Sequence, residues 1–182
     1  MNGNPIDALN AALDETVRLV DGIQPGQWDN PTPCTDWTVR DLVQHMTRGN
    51  RRTIAAGGGP VADDGEEAGA ESYRRSADDL KRFFSDPAVM QRTFSMPFGQ
   101  LPGPAMVAMR VTESTTHDWD LARATAQEPR FPPEAVQMAL HSAERMGENA
   151  RVPGGPFQPP TEAGENASDI ERLAALMGRV IA

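Results

Sequence analysis

Glu113 and His117 stand four residues apart in a segment that reads as helix. Four residues advance a helix by about 400°, so both side chains leave one face, one turn apart. Two such groups can share a metal ion if a third ligand arrives from a neighbouring helix, and His45 is the candidate. Helix bundles build metal sites in this way, from side chains projecting inward on facing helices. Two imidazoles and a carboxylate suit zinc, and nickel or iron(II) less selectively. Three protein ligands leave one coordination position open, as catalytic sites do. A water or thiol bound there loses its proton more easily. The spacing permits this chemistry without requiring it. A solvated Glu–His pair and a core His45 are the alternative readings of the same residues.

Other residues bear on the same centre. Asp120, three residues after His117, is either an acceptor that orients the imidazole or a surface or capping carboxylate. Arg48, Arg51 and Arg52 follow His45 by one to two turns. They are placed to receive an anionic substrate or the carboxylate of a thiol cofactor, or else form a solvated basic helix end. Cys34 reads as a packing residue rather than a reactive thiol. Trp37 and Trp119 are expected to pack near helix ends, with pocket lining as a secondary role. The third histidine, His141, reads as a surface or packing residue, and the methionines as core filler.

The elements that must position these groups are helices. Leu9, Leu13, Val17 and Val20 recur at helical spacing, predicting a first helix over about Pro5 to Val20, ended by Asp21-Gly22. Pro25, Pro31 and Pro33 keep Gln24 to Cys34 as a connector. A second helix opens near Thr38, where Thr38 and Asp41 resemble a capping box. Val39, Leu42, Val43 and Met46 form its apolar stripe, with His45 at the edge and Gly49-Asn50 as a possible end. Gly57 to Gly69 reads as an acidic loop, followed by a third helix over roughly Glu71 to Ser85. Thr93 to Met96 reads as a short extended piece and Pro97 to Pro104 as a turn-rich bridge. The fourth helix, about Gly103 to Thr125, is the longest; the fifth spans about Pro133 to Asn149. Val152 to Gly164 is expected to act as a wrapping strap. A final helix opens at Ser168 with a Ser-x-x-Glu box completed by Glu171, and presents Ile170, Leu173, Leu176, Met177 and Val180. Strand signals are scarce, so the expected class is all-α: a helix bundle with long Pro/Gly-rich connectors, as one domain over residues 1–182.

The 182 residues carry a net charge of −9, which disfavours nucleic acid and anionic membrane surfaces as partners. One cysteine allows no intrachain disulfide. No apolar run approaches the ~20 residues of a membrane span, and Met1 to Leu9 lacks a signal pattern. A cytoplasmic protein, monomer or homodimer, is expected.

Two stretches carry a family resemblance: Thr32-Pro-Cys-Thr-Asp-Trp-Thr-Val-Arg-Asp-Leu-Val-Gln-His45, and Glu113-Ser-Thr-Thr-His-Asp-Trp-Asp-Leu-Ala-Arg-Ala-Thr125. Both resemble the actinobacterial branch of the DinB-like metalloprotein superfamily, which includes the N-terminal domain of mycothiol-dependent maleylpyruvate isomerase. The resemblance implies a DinB-like four-helix bundle with a metal at one end. It places the ligands on His45, Glu113 and His117, with Glu113 where many relatives carry a third histidine. It also implies zinc or nickel, and mycothiol or a similar low-molecular-weight thiol as cosubstrate. The isomerase has a further C-terminal domain without counterpart in these 182 residues. The expected chemistry is therefore metal-dependent thiol transfer to an electrophilic small molecule rather than maleylpyruvate isomerisation itself. A non-enzymatic metal or ligand-binding module and a metal-dependent hydrolase are the rival classes; without His-Glu-x-x-His a zincin-type peptidase is not supported.

Overall fold

A computed structural model describes residues 4–34, 36–61, 69–146 and 158–181. These residues form six α-helices and one small hairpin. Helix α1 spans Pro5–Asp21, its first turn closed by Asn4, whose side chain accepts from the Ile6 amide. Helix α2 spans Val39–Ala56 and opens on the predicted box: Thr38 Oγ accepts from the Asp41 amide at 3.2 Å, and Asp41 Oδ2 accepts from the Thr38 amide at 3.0 Å. Helix α3 is Ala70–Phe84, α4 is Gly103–Thr125, α5 is Pro133–Glu144 and α6 is Asp169–Leu176.

Helix α4 packs against α1, α2, α5 and α6, and is buried on nearly every side. It encloses Met106, Val107, Val111 and Leu121 together with a polar run, Thr112 and Ser114 to Asp118. Five Thr hydroxyls on α4 and α2 donate back to the carbonyl four residues earlier, which satisfies them inside the core. The apolar faces of α1 (Leu9, Leu13, Leu19), α2 (Val39, Leu42, Val43, Met46) and α3 (Tyr73, Ala77, Leu80, Phe84) close around it.

Four expectations change. Helix α2 runs through Gly49-Asn50 rather than ending there, because Gly49 packs closely on α4 and Asn50 is buried between α4 and α3 partners described below. The turn-rich bridge after Met96 contains a second strand: β1, Thr93–Met96, pairs antiparallel with β2, Gly99–Pro102, and Phe94 lies opposite Leu101. Phe94 stacks on Phe84 and meets Phe83 edge to face, which anchors the hairpin to α3. Helix α5 ends at Glu144; residues 147–149 lie outside the described residues, as do 62–68 of the acidic loop and 152–157 of the strap. Val180 does not join the apolar face of α6 but is 77% exposed. The described part of the strap does grip α6, since the Thr161 amide donates to the Ala175 carbonyl at 2.9 Å.

Candidate metal centre

Three elements converge on the centre. Helix α4 presents Glu113 and His117 from one face, and α2 brings His45 against them. One ligand atom from each of His45, Glu113 and His117 lies within 4.8 Å of the others, so this group could hold a metal ion. His45 Nε2 is 3.1 Å from Glu113 Oε1, within hydrogen-bonding distance. The imidazole rings of His45 and His117 meet edge to face with centroids 5.3 Å apart. His45 has a side chain 37% exposed, so the group opens to solvent on that side, whereas His117 is buried.

The third element is the loop before α2. A backbone bridge between Pro31 and Thr38 closes it, with the Thr32 amide donating to the Trp37 carbonyl and the Trp37 amide to the Cys34 carbonyl. Asp36 turns the chain in the left-handed region, φ 67°, a conformation that Asp tolerates better than most residues. This delivers the Trp37 ring to 4.5 Å from His45 and 6.3 Å from His117. Trp37 is thus a wall of the centre, the role held second in the sequence reading. Trp119 sits apart from it, buried and covered by Arg123 at 4.5 Å.

Each ligand on α4 has its own support. Glu113 pairs through Oε2 with Arg110 Nη1, one turn earlier. Arg110 also donates to Asn50 Oδ1 on α2 at 2.7 Å, and Asn50 donates to Ser76 Oγ on α3 at 3.1 Å. Gly49 is needed beside this pair: a Cβ there would meet Arg110 Nη1 at 2.7 Å and Glu113 Oε1 at 3.0 Å. Burial opposes the Glu113 charge, but Arg110, His45 and His117 together outweigh it and hold the carboxyl well below the usual carboxylate range. Glu113 is therefore an anionic donor at neutral pH.

His117 is held by Asp120, whose Oδ2 lies 2.9 Å from His117 Nδ1. Burial works against the Asp120 charge, yet hydrogen bonds from His117 and Arg179 depress its pKa, so it is an ionised acceptor. Nδ1 must then carry the proton, which leaves Nε2 with its lone pair free. Burial lowers the His117 pKa, with the Asp120 bond opposing, so the neutral imidazole that a metal needs prevails. Arg179, which follows α6, donates from Nε to Asp120 Oδ1 at 3.1 Å and from Nη2 to Oδ2 at 2.6 Å. Asp118, on the other side of α4, faces Glu15, Thr16 and Arg18, and burial raises its carboxyl well above the ordinary value.

The remaining candidates are placed differently. Arg51 donates to Ser72 Oγ on α3 at 3.1 Å; Arg52 is exposed, two turns beyond His45 on the same face; Arg48 is half-buried one turn beyond it. Burial pushes the Cys34 thiol up, although Arg179 pulls the other way, so it stays protonated at neutral pH and packs as expected. His141 is exposed. Two clefts of about 260 and 510 Å³ lie elsewhere, one beside Trp119 and Phe131 and one between Pro5, Met138 and His141. Neither touches the three ligands, and their bulk says nothing against the centre, which is defined by its donors. Sequence reasoning missed Arg110 and Arg179. Arg110 is legible in hindsight as an i, i+3 partner of Glu113; nothing near Arg179 announces its target.

Architecture and centre together give the class: a helical bundle whose His–Glu–His donor set could hold a metal ion. Residues 9–122 match the family described as the mycothiol maleylpyruvate isomerase N-terminal domain, and the chain belongs to that family. Over 98% of its length it is 31% identical to two Mycobacterium tuberculosis proteins and covers 99% of each. They are the uncharacterized protein MT0763 of strain CDC 1551 and the uncharacterized protein Rv0738 of strain H37Rv. No solved structure matches the chain. No described helix is long and apolar enough to cross a membrane.

Proposed function

We propose that this protein is a metal-dependent thiol transferase, using zinc and mycothiol or a similar low-molecular-weight thiol on an electrophilic small molecule. The observation that carries the reading is the approach of His45, Glu113 and His117 to within 4.8 Å, with two nitrogens and one oxygen as donors. That set fits zinc, with nickel the closest rival, and leaves a position for a small thiol. The family supports the thiol, because its description names mycothiol. A divalent cation held there supplies Lewis-acid activation of a thiol at neutral pH.

The chain's own groups prepare the rest. Glu113 contributes negative charge without needing deprotonation, and His117 is already neutral with Nε2 available. His45 Nε2, 3.1 Å from Glu113 Oε1, would be the third donor to a cation held there. Trp37 offers an apolar wall that keeps bulk water from one side of the pair of imidazoles. Arg48 and Arg52 follow His45 by one and two turns on α2 and would receive an anionic substrate or the carboxylate of the thiol. In this reading residues 1–182 work as one domain, on small molecules rather than on nucleic acid or membranes.

Elemental analysis of protein purified without added metal, followed by turnover of a model electrophile with and without mycothiol, tests the proposal. One zinc per chain and thiol-dependent turnover are expected, and His45→Ala should lose both. Full metal occupancy in that variant would refute the ligand assignment. Turnover independent of thiol would favour a hydrolase, and metal without turnover a binding module.

A further inference from the structure

The C-terminal segment reaches the centre through one side chain. Arg179 is 8% exposed and clamps Asp120 with two hydrogen bonds, to Oδ1 and to Oδ2. Its remaining terminal nitrogen, Nη1, donates to the Met177 carbonyl at 2.7 Å, so the guanidinium is held on both sides. The backbone is built to deliver it. Gly178 ends α6 at φ 84°, its amide donating to the Ala175 carbonyl, and the Arg179 amide returns to the Ala174 carbonyl at 2.9 Å. A Cβ on Gly178 would meet Gln158 Cβ at 2.5 Å, so the strap packs directly on this turn. Thr161 Oγ caps the Arg179 carbonyl from the same strap. The family match ends at residue 122, so this delivery system lies wholly outside it.

A single carboxylate hydrogen-bonded to an imidazole is free to rotate about its own χ angles. A bidentate guanidinium removes that freedom, because its planar fork fits both oxygens at once. We infer that Arg179 is a positioning residue for the metal centre: by locking Asp120 it keeps the His117 proton on Nδ1 and the Nε2 lone pair toward His45 and Glu113. The inference rests on the metal centre proposed above. It makes docking of α6 and the strap a condition for a competent ligand set, since Arg179 reaches Asp120 only when both are seated. The other positively charged groups near the three ligands stand elsewhere: Arg110 is spent on Glu113 and Asn50.

The test compares wild type with Arg179→Gln, Arg179→Lys, Asp120→Asn and the Arg179→Gln/Asp120→Asn double variant. Two quantities are read: zinc affinity by chelator competition, and the His117 tautomer by long-range 1H–15N NMR on metal-stripped protein. Removing the partner of a ligating histidine costs roughly 10–100-fold in metal affinity. Arg179→Gln should fall in that range and shift His117 from one tautomer to a mixture, and Arg179→Lys should recover part of both. The double variant should be no worse than Asp120→Asn, since the arginine acts through the aspartate. Unchanged affinity and tautomer in a folded Arg179→Gln protein would overturn the inference, as would fully additive losses in the double variant. If Arg179→Gln does not fold, the Arg179→Lys and Asp120→Asn cycle decides by the same criteria. Zinc uptake by wild type with no response to Arg179 sinks this inference alone. A wild type that shows the fixed tautomer and its loss in Arg179→Gln, yet takes up no zinc, sinks the metal reading and leaves the arginine's role standing.

Discussion

Glu113 and His117 sit one turn apart on α4, and each is steadied by a buried arginine, yet the two supports are built in opposite ways. Arg110 belongs to the same helix as Glu113 and meets it at i, i+3, then ties it to Asn50 on α2 and so to Ser76 on α3. Arg179 belongs to the segment after α6 and acts on His117 through Asp120. The first support is woven into the bundle core and cannot loosen without opening the helix packing. The second is attached from outside by a short helix and a strap.

The comparison breaks most sharply at the arginines themselves. Arg110 is 1% exposed, and Arg110→Ala takes the shared guanidinium from Glu113 and Asn50, leaving them only His45 and Ser76. A loss of about 3–5 kcal/mol is expected in chemical denaturation, the range for orphaning one member of a buried ion pair. Arg179→Ala should cost less stability, because α6 lies at the periphery, while harming metal affinity. Equal destabilisation by the two variants would show that the two supports do not differ as described.

Two glycines sharpen the same contrast. Gly49→Ala drives a methyl into Arg110 and Glu113, and Gly178→Ala forces alanine into the left-handed region against Gln158. Each should cost about 1–3 kcal/mol, the first by overpacking and the second by backbone strain. Their signatures differ: Gly178→Ala should raise protease sensitivity at the C-terminal segment first, and Gly49→Ala should lower the cooperative melting of the whole chain. A Gly178→Ala protein that melts like Gly49→Ala and resists early C-terminal cleavage would contradict the peripheral attachment of α6.

The smallest effects come from the two capping boxes, Thr38/Asp41 for the helix of His45 and Ser168/Glu171 for the helix before Arg179. Thr38→Ala and Ser168→Ala should each cost about 1 kcal/mol. The hydrogen bonds from Thr38 and Ser168 depress the pKa of Asp41 and Glu171. A depressed carboxylate stabilises the folded state above its unfolded pKa, and that contribution disappears as pH falls through the folded value. The penalties should therefore be full at pH 7 and shrink on acidification below the ordinary carboxylate range, measured as melting temperature against pH. A pH-independent penalty would remove the carboxylates from the caps.

The helices of this protein were legible because their signals are local. Apolar spacing at Leu9, Leu13 and Val20, the two capping boxes and the run from Gly103 to Thr125 all predict elements that form. The Glu113–His117 pair was legible for the same reason, since helical pitch alone puts both on one face. Where local chemistry pointed wrongly, a distant partner had overruled it. Gly49-Asn50 looks like a helix end, but Gly49 makes room for Arg110 and Glu113, and Asn50 bridges Arg110 to Ser76. The strand at Gly99–Pro102 exists because Thr93–Met96 pairs with it, and four residues rich in Gly and Pro announce no strand of their own.

By itself the sequence determined the helical class and put two candidate ligands, one carboxylate and one imidazole, on a common face; pitch and side-chain chemistry act over a few residues and need no fold to be read. Only the tertiary structure decided that His45 meets Glu113, that Trp37 walls the centre, and that Arg179 reaches Asp120 across 59 residues. Those meetings depend on how helices pack and where loops turn, which is a sum over many weak contacts far apart in the chain rather than a property of any short stretch of it.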